Sequence, residues 1–183
     1  SDTTEINLSN STIMPTNFYL YFLVALIPLV VGATYYHPKL AGTAWMKSNN
    51  FTMESLQGGN MAVTLGIAYV LSFILCFAQT GLVIHQSAIS SLFIPELLES
   101  GNPIQADFND LMNKYGDRHR NFGHGVLHGV INAIFLALPI IGINANFERR
   151  GWKYVLIHLG YWVITLGLVG GVLCQMLEFA PVS

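Results

Sequence analysis

His124 and His128 stand four residues apart in a stretch, 123–143, that carries no charged side chain. On a helix that spacing projects both imidazoles from one face, the arrangement that pairs histidines on a metal ion. No Glu follows His124 in the position that would supply the general base of a zinc protease. A metal needs three or four ligands, so further histidines have to come from other parts of the chain. His85 closes the preceding apolar run and His119 lies just ahead of 123–143, which places both at the same membrane face as His124 and His128. His37 and His158 fall at the opposite face. At about 1.5 Å rise per residue, His128 lies roughly 7 Å inside one face and His158 roughly 9 Å inside the other. Straight spans of about 30 Å keep that pair from sharing one haem or one metal. The candidate set for a metal, or for a haem as cofactor, is therefore His85, His119, His124 and His128. The alternative is that intramembrane histidines hydrogen-bond to neighbouring helices and orient the bundle. Asn132, one turn beyond His128, extends the polar stripe and suits either reading. No Gly-rich phosphate loop, Ser/His/Asp grouping or pair of intramembrane carboxylates accompanies these residues, so no complete catalytic site is expected.

The elements that position this stripe follow from composition. Only 10% of the 183 residues are charged and 52% are hydrophobic, against about a quarter charged in an ordinary soluble domain. Eighteen charged side chains, eight Lys/Arg and ten Asp/Glu, cannot clothe such a chain in water; lipid can. A net charge of −2 and the lack of any basic run argue against nucleic acid as a partner. Cys76 and Cys174 both sit in apolar stretches, where a thiol behaves as a small hydrophobe.

Four apolar runs, 18–36, 56–84, 123–143 and 152–177, are each near or above the roughly 20 residues a helix needs to cross the hydrocarbon. The expected fold is all-α: an integral membrane four-helix bundle in a single domain, with an extra amphipathic helix in the long connection 85–122. Pro28 predicts a kink in the first span. The polar, acidic tail 1–16 has no Lys or Arg and so lacks the positive n-region of a secretory signal; the first span is expected to stay in the mature chain. Odd and even spans alternate, so the connections 36–54 and 144–151 share one side. Lys39, Lys47, Arg149, Arg150 and Lys153 lie there, against Lys114, Arg118 and Arg120 on the other. The excess of positive charge predicts a multi-pass protein of the bacterial inner membrane with periplasmic termini.

In the long connection, Asn102 as cap, Pro103 at the first helical position and Gly116 as terminator bracket a helix. Its apolar residues Ile104, Phe108, Leu111, Met112 and Tyr115 share one face, opposite Asp107, Asp110 and Lys114. Membrane-surface helices are usually rich in Lys/Arg; this one is acidic, so Phe108, Leu111, Met112 and Tyr115 are expected to meet a partner protein, the alternative being a helix that lies on the lipid interface or folds over the bundle. Ile94-Pro95-Glu96-Leu97-Leu98 opens a further short helix. Gly125 with Gly129, Gly167 with Gly171, and Ala62 with Gly66 have the four-residue spacing that lets helix backbones approach closely, within one chain or in self-association. Aromatic residues, among them Tyr35, Tyr36, Trp45, Trp152, Tyr154 and Trp162, gather near the span ends, as they do at headgroup level.

The segment Gly32-Ala33-Thr34-Tyr35-Tyr36-His37-Pro38, followed by Gly42-Thr43-Ala44-Trp45-Met46, resembles the signature after the first span of an uncharacterised bacterial membrane family, domain of unknown function 1761. His124-Gly125, His128-Gly129, Phe147-Glu148-Arg149-Arg150 and Gly160-Tyr161-Trp162 are similar to its last two spans and their connection. The resemblance implies four apolar spans and no established activity, cofactor or catalytic residue. The tail 1–16 holds too little apolar material to order itself, so contact with other membrane subunits is expected. The expected function is a non-catalytic accessory or structural subunit of a larger inner-membrane complex. The alternative is a histidine-based metal- or haem-binding membrane protein with a redox link.

Overall fold

A computed structural model of the chain describes residues 15–57, 59–99 and 101–179. The described residues are helical throughout, apart from connections and an isolated antiparallel bridge between Pro15 and Phe179. The chain order is α1 (Tyr19–Val24), α2 (Ile27–Tyr35), a kinked turn (Pro38–Gly42) in which Leu40 is not helical (φ −113°, ψ −117°), α3 (Thr43–Asn49), α4 (Met53–Leu56) and α5 (Met61–Val83). Then come α6 (His85–Leu92), α7 (Ile94–Leu98), α8 (Ile104–Tyr115), α9 (Phe122–Asn132), a π-helical turn (Ala133–Ala137), α10 (Leu138–Phe147) and α11 (Trp152–Met176).

Three helical stretches are long and apolar enough to cross a membrane: Met61–Val83, Phe122–Phe147 and Trp152–Met176, of 23, 26 and 25 residues. The shortest reaches about 35 Å at 1.5 Å per residue, more than the hydrocarbon thickness. A fourth exists if the bent pair Tyr19–Tyr35 and Pro38–Asn49, which turns by 52°, is one span. The first apolar run is broken at Ala25–Leu26, just ahead of Pro28. Proline has no N–H to give and its ring crowds the carbonyl four residues back, here that of Val24, so the helix restarts. The second apolar run is helical from Met61 rather than from Leu56, because Asn60 caps the helix there through bonds from the Ala62 and Val63 amides. Thr52 and Ser55 form a capping box on the short helix before it, and Glu54 lies in its first turn.

Polarity runs inside out. Ile67, Leu71, Ile74 and Phe135 face outward, while Gln79 (2% exposed), Asn132, Ser72, Thr80 and Thr165 are buried. Such a surface is unfavourable in water and matches a hydrocarbon solvent. Inside, the Gln79 and Asn132 side chains satisfy each other, Nδ2 of Asn132 donating to Oε1 of Gln79 at 2.9 Å. The Tyr21 hydroxyl meets the Thr80 hydroxyl at 2.9 Å. The packed core joins α1, α5 and α11 through Tyr21, Val24, Cys76, Val83, Val169, Leu173 and Cys174.

The tightest pairing is α9 against α11, and glycine makes it possible. A Cβ on Gly125 would collide with the Gly170 carbonyl oxygen, and one on Gly129 with that of Leu166. Gly170 in turn leaves a Cβ no room against the carbonyl of Gly125, and Gly171 none against the Phe122 ring. Gly167 is less confined: its nearest neighbours, Val126 and Val130, would lie 3.7 Å from a Cβ, an ordinary contact. Gly66, on the outer side of α5, meets nothing within 4 Å.

The two ends of the bundle are distinct. At one, the Arg150 guanidinium reaches the Ser48 carbonyl at 3.5 Å, joining the connection after α10 to the last turn of α3. At the other, Asn17 donates to the Met176 carbonyl at 2.7 Å and Thr16 pairs with Glu178. The polar tail expected at 1–16 lies, but for Pro15 and Thr16, outside the described residues.

Candidate metal centre

Three elements converge on the end that holds Met176. Asn121 caps α9, its Oδ1 accepting from the His124 amide at 2.9 Å, and so fixes the first turn that presents His124 and His128. Each histidine precedes a glycine, and neighbouring helix positions are about 100° apart around the axis. Seating Gly125 and Gly129 on α11 therefore turns His124 and His128 onto one flank of α9. The third imidazole comes from a break in α5: Ile84 is extended (φ −107°, ψ 103°), and the chain restarts as α6 at His85.

The rings meet. His85 Nε2 lies 2.9 Å from His124 Nε2. Ring centroids are 4.8 Å apart for His85 and His128, and 4.5 Å for His124 and His128. One nitrogen from each of His85, His124 and His128 falls within 4.8 Å of the others. An ion with Zn–N bonds of about 2.0–2.1 Å and tetrahedral angles needs its nitrogens about 3.3 Å apart. The His85–His124 pair, at 2.9 Å, would have to open by a few tenths of an ångström to reach that spacing.

His119 is outside that trio. Its ring stacks on His124, 4.8 Å between centroids and 17° between planes, and lies 6.3 Å from His85. Its backbone is left-handed (φ 64°), a conformation that a non-glycine residue adopts at a cost. The Cys174 thiol donates to its carbonyl at 3.5 Å, and the Asn121 amide at 3.0 Å, which hold this turn against α11. Arg120 secures the same turn by donating from Nη2 to the Leu177 carbonyl, with its guanidinium 5.6 Å from the Phe179 ring. Burial lowers the Arg120 pKa, opposed by nearby Cys174 and Asp117.

His85 is exposed while His124 and His128 are half-buried, so the trio opens outward on one side. Three imidazoles with a free side are a donor set for a transition-metal ion that keeps an open coordination position. Beside it, His85, Gln86, Ile89, Leu111, Tyr115, Arg118 and His119 line a pocket of about 260 Å³. Gln86 closes its far wall by donating to the carbonyls of Tyr115 and Arg118 at 3.0 and 2.9 Å.

Phe108 of α8 is buried and packs edge-on against Phe93 at 5.9 Å. Leu111 and Tyr115 help wall the pocket, so this helix lies along its own chain's short helices. Asn132 is bonded to Gln79, a residue that a search for charged side chains passes over because glutamine is uncharged. Gly170 also escaped the four-residue spacing rule, since Leu166 and Cys174 stand four residues to either side of it. His158, in contrast, meets the Tyr36 hydroxyl at 2.9 Å near the start of α11. That is roughly 24 Å along the axis from Cys174 beside His119.

The motif glycines have packing reasons. A Cβ on Gly42 would strike the Tyr36 carbonyl, and one on Gly160 the Tyr35 hydroxyl. The Tyr161 hydroxyl donates to the Pro28 carbonyl at 3.0 Å, tying α11 to the restarted first span.

Comparison with curated proteins gives an L-seryl-tRNA(Sec) selenium transferase of Wolinella succinogenes, 33% identical over 69 residues. The match covers 37% of this chain and 15% of that protein, so the chain spans a small part of its length. No solved structure matches. The family model described as Protein of unknown function (DUF1761) matches residues 20–174, and the chain, with its apolar helices and histidine cluster, belongs to that family.

Proposed function

We propose that this chain is a non-catalytic, metal-binding protein of the bacterial inner membrane, holding a divalent first-row transition-metal ion on His85, His124 and His128. The observation that carries the reading is the convergence of three imidazole nitrogens within 4.8 Å from residues up to 43 positions apart in sequence. Imidazole donors suit zinc, copper, iron and nickel, and neutral histidines bring no charge that the membrane edge must accommodate. An ion is favoured over haem because the rings touch one another at 4.5–5.1 Å, which supports no slot for a macrocycle between them. Its setting is an accessory position in a larger inner-membrane assembly, with this site a metal-holding element of that assembly.

The test is elemental analysis of protein purified from membranes in mild detergent, with mass spectrometry of whatever copurifies. A single metal ion per chain, lost in His124→Ala, is expected. Wild-type protein that stays metal-free after dialysis against zinc, copper, nickel and ferrous ion would remove the metal reading. A metal-loaded monomer with no copurifying protein would remove the assembly.

A further inference from the structure

Between α5, the π-helical turn, α10 and α11 lies a cavity of about 410 Å³ within the membrane-crossing region. Its walls are apolar, with Leu75, Leu82, Leu136, Ile140 and the indole of Trp162, but its floor contains the Gln79–Asn132 pair. In that pair one Asn132 N–H and the Gln79 carbonyl are used, at 2.9 Å. The Gln79 amide nitrogen and the Asn132 carbonyl oxygen make no side-chain hydrogen bond to another described residue. Gln79 is 2% and Asn132 9% exposed, so bulk water does not serve them. In hydrocarbon an unused donor and acceptor each cost free energy that an acyl chain cannot recover. The π-helical turn that begins directly after Asn132 widens the backbone at this level, a distortion often found beside ligands.

We infer that this cavity binds a membrane-dissolved, oxygen-bearing ring of the quinone class, its ring oxygen facing Gln79 and Asn132 and its flat face against Trp162. The amide pair offers both a donor and an acceptor, so it fits a ring carbonyl and, equally, the hydroxyl of the reduced ring. The apolar walls take the ring body and leave its tail in lipid. The inference is independent of the metal centre, which lies one helical turn and more away toward the His124 end of α9.

The test uses the full chain in lipid nanodiscs, titrated with 2-methyl-1,4-naphthoquinone and, as control, 2-methylnaphthalene, the same ring without oxygens. Binding is followed by isothermal calorimetry and by Trp162 fluorescence in a Trp45→Phe, Trp152→Phe background. Saturable quinone binding is expected, about tenfold or more tighter than that of the hydrocarbon. It should be lost in Gln79→Leu/Asn132→Leu, which replaces both polar partners together and so leaves no orphan, and in Ala78→Phe, which fills the cavity. Equal affinity for the two rings would overturn the inference, leaving an apolar gap that any acyl chain fills. So would a quinone isotherm that never saturates, or unchanged binding in the double variant. If either variant does not fold, the comparison of the two rings on the wild-type chain still decides.

Discussion

A histidine that binds metal differs from one that only orients a helix in what its removal does. His85, His124 and His128 each supply one nitrogen to the same small volume, so replacing any of them by Ala removes a ligand. His119, stacked on His124 at 4.8 Å, acts by holding a ring in place. Loss of such an outer contact costs about 10–100-fold in metal affinity; His119→Ala is expected in that range, and each of the three ligand variants beyond it. Competition with a chromophoric chelator measures all four, and equal losses at all four positions would contradict the assignment. Protons compete with a metal for imidazole nitrogens, which bind only when neutral. Bound metal should therefore fall as pH is lowered and return as it is raised, measured by equilibrium dialysis across the titration. The spacing of His124 and His128 was enough to nominate the site, and the shared membrane face was enough to add His85 and His119. What spacing could not convey was the ring-level split between three convergent nitrogens and a stacked fourth ring, because it depends on the left-handed turn at His119.

At the scale of elements, the site rests on how closely α9 approaches α11. Gly129→Ala forces a methyl into the Leu166 carbonyl, and a well-packed interface answers such overpacking with a loss of about 1–3 kcal/mol. Gly66→Ala, on an open surface with nothing within 4 Å, should be neutral or add up to about 1 kcal/mol through helix propensity. Unfolding in mixed micelles by a chemical denaturant compares the two, and equal stabilities would show that the glycine contact carries no weight. Because that contact sets the rotation of α9, Gly129→Ala should also weaken metal binding while Gly66→Ala leaves it intact. Four-residue glycine spacing found Gly125 and Gly129 but gave Gly167 equal standing with Gly171. The structure ranks them otherwise, since Gly167 has ordinary room and Gly170 does not. The three helices long and apolar enough to cross a membrane have ends within five residues of the apolar runs 56–84, 123–143 and 152–177. The start at Met61, the break before Pro28 and the helix at His85–Leu92 depend on caps and kinks that hydropathy does not register.

For the whole molecule the remaining quantity is direction, and the charge at the two ends predicts it. The contact between Arg150 and Ser48 shows that the last turn of α3 and the connection after α10 lie at one end. That end carries Lys39, Lys47, Arg149, Arg150 and Lys153, while the histidine end carries Lys114, Arg118 and Arg120. Positive residues near span ends are retained in the cytoplasm, so the histidine cluster and the pocket beside it should face the periplasm. There His85 would meet metal that has crossed the outer boundary of the cell, without passage through the inner membrane. Both native cysteines, Cys76 and Cys174, are buried, which leaves the chain free for single-cysteine reporters. In intact spheroplasts a membrane-impermeant maleimide is expected to label Lys114→Cys on α8 and to spare Lys47→Cys on α3, with both labelled after detergent permeabilisation. The reverse pattern would put the metal site in the cytoplasm and make its ion a guest of the cell's internal metal pool. Labelling of both before permeabilisation would mean that the chain does not cross the bilayer between α3 and α8, against the reading drawn from the inside-out polarity and the length of α5.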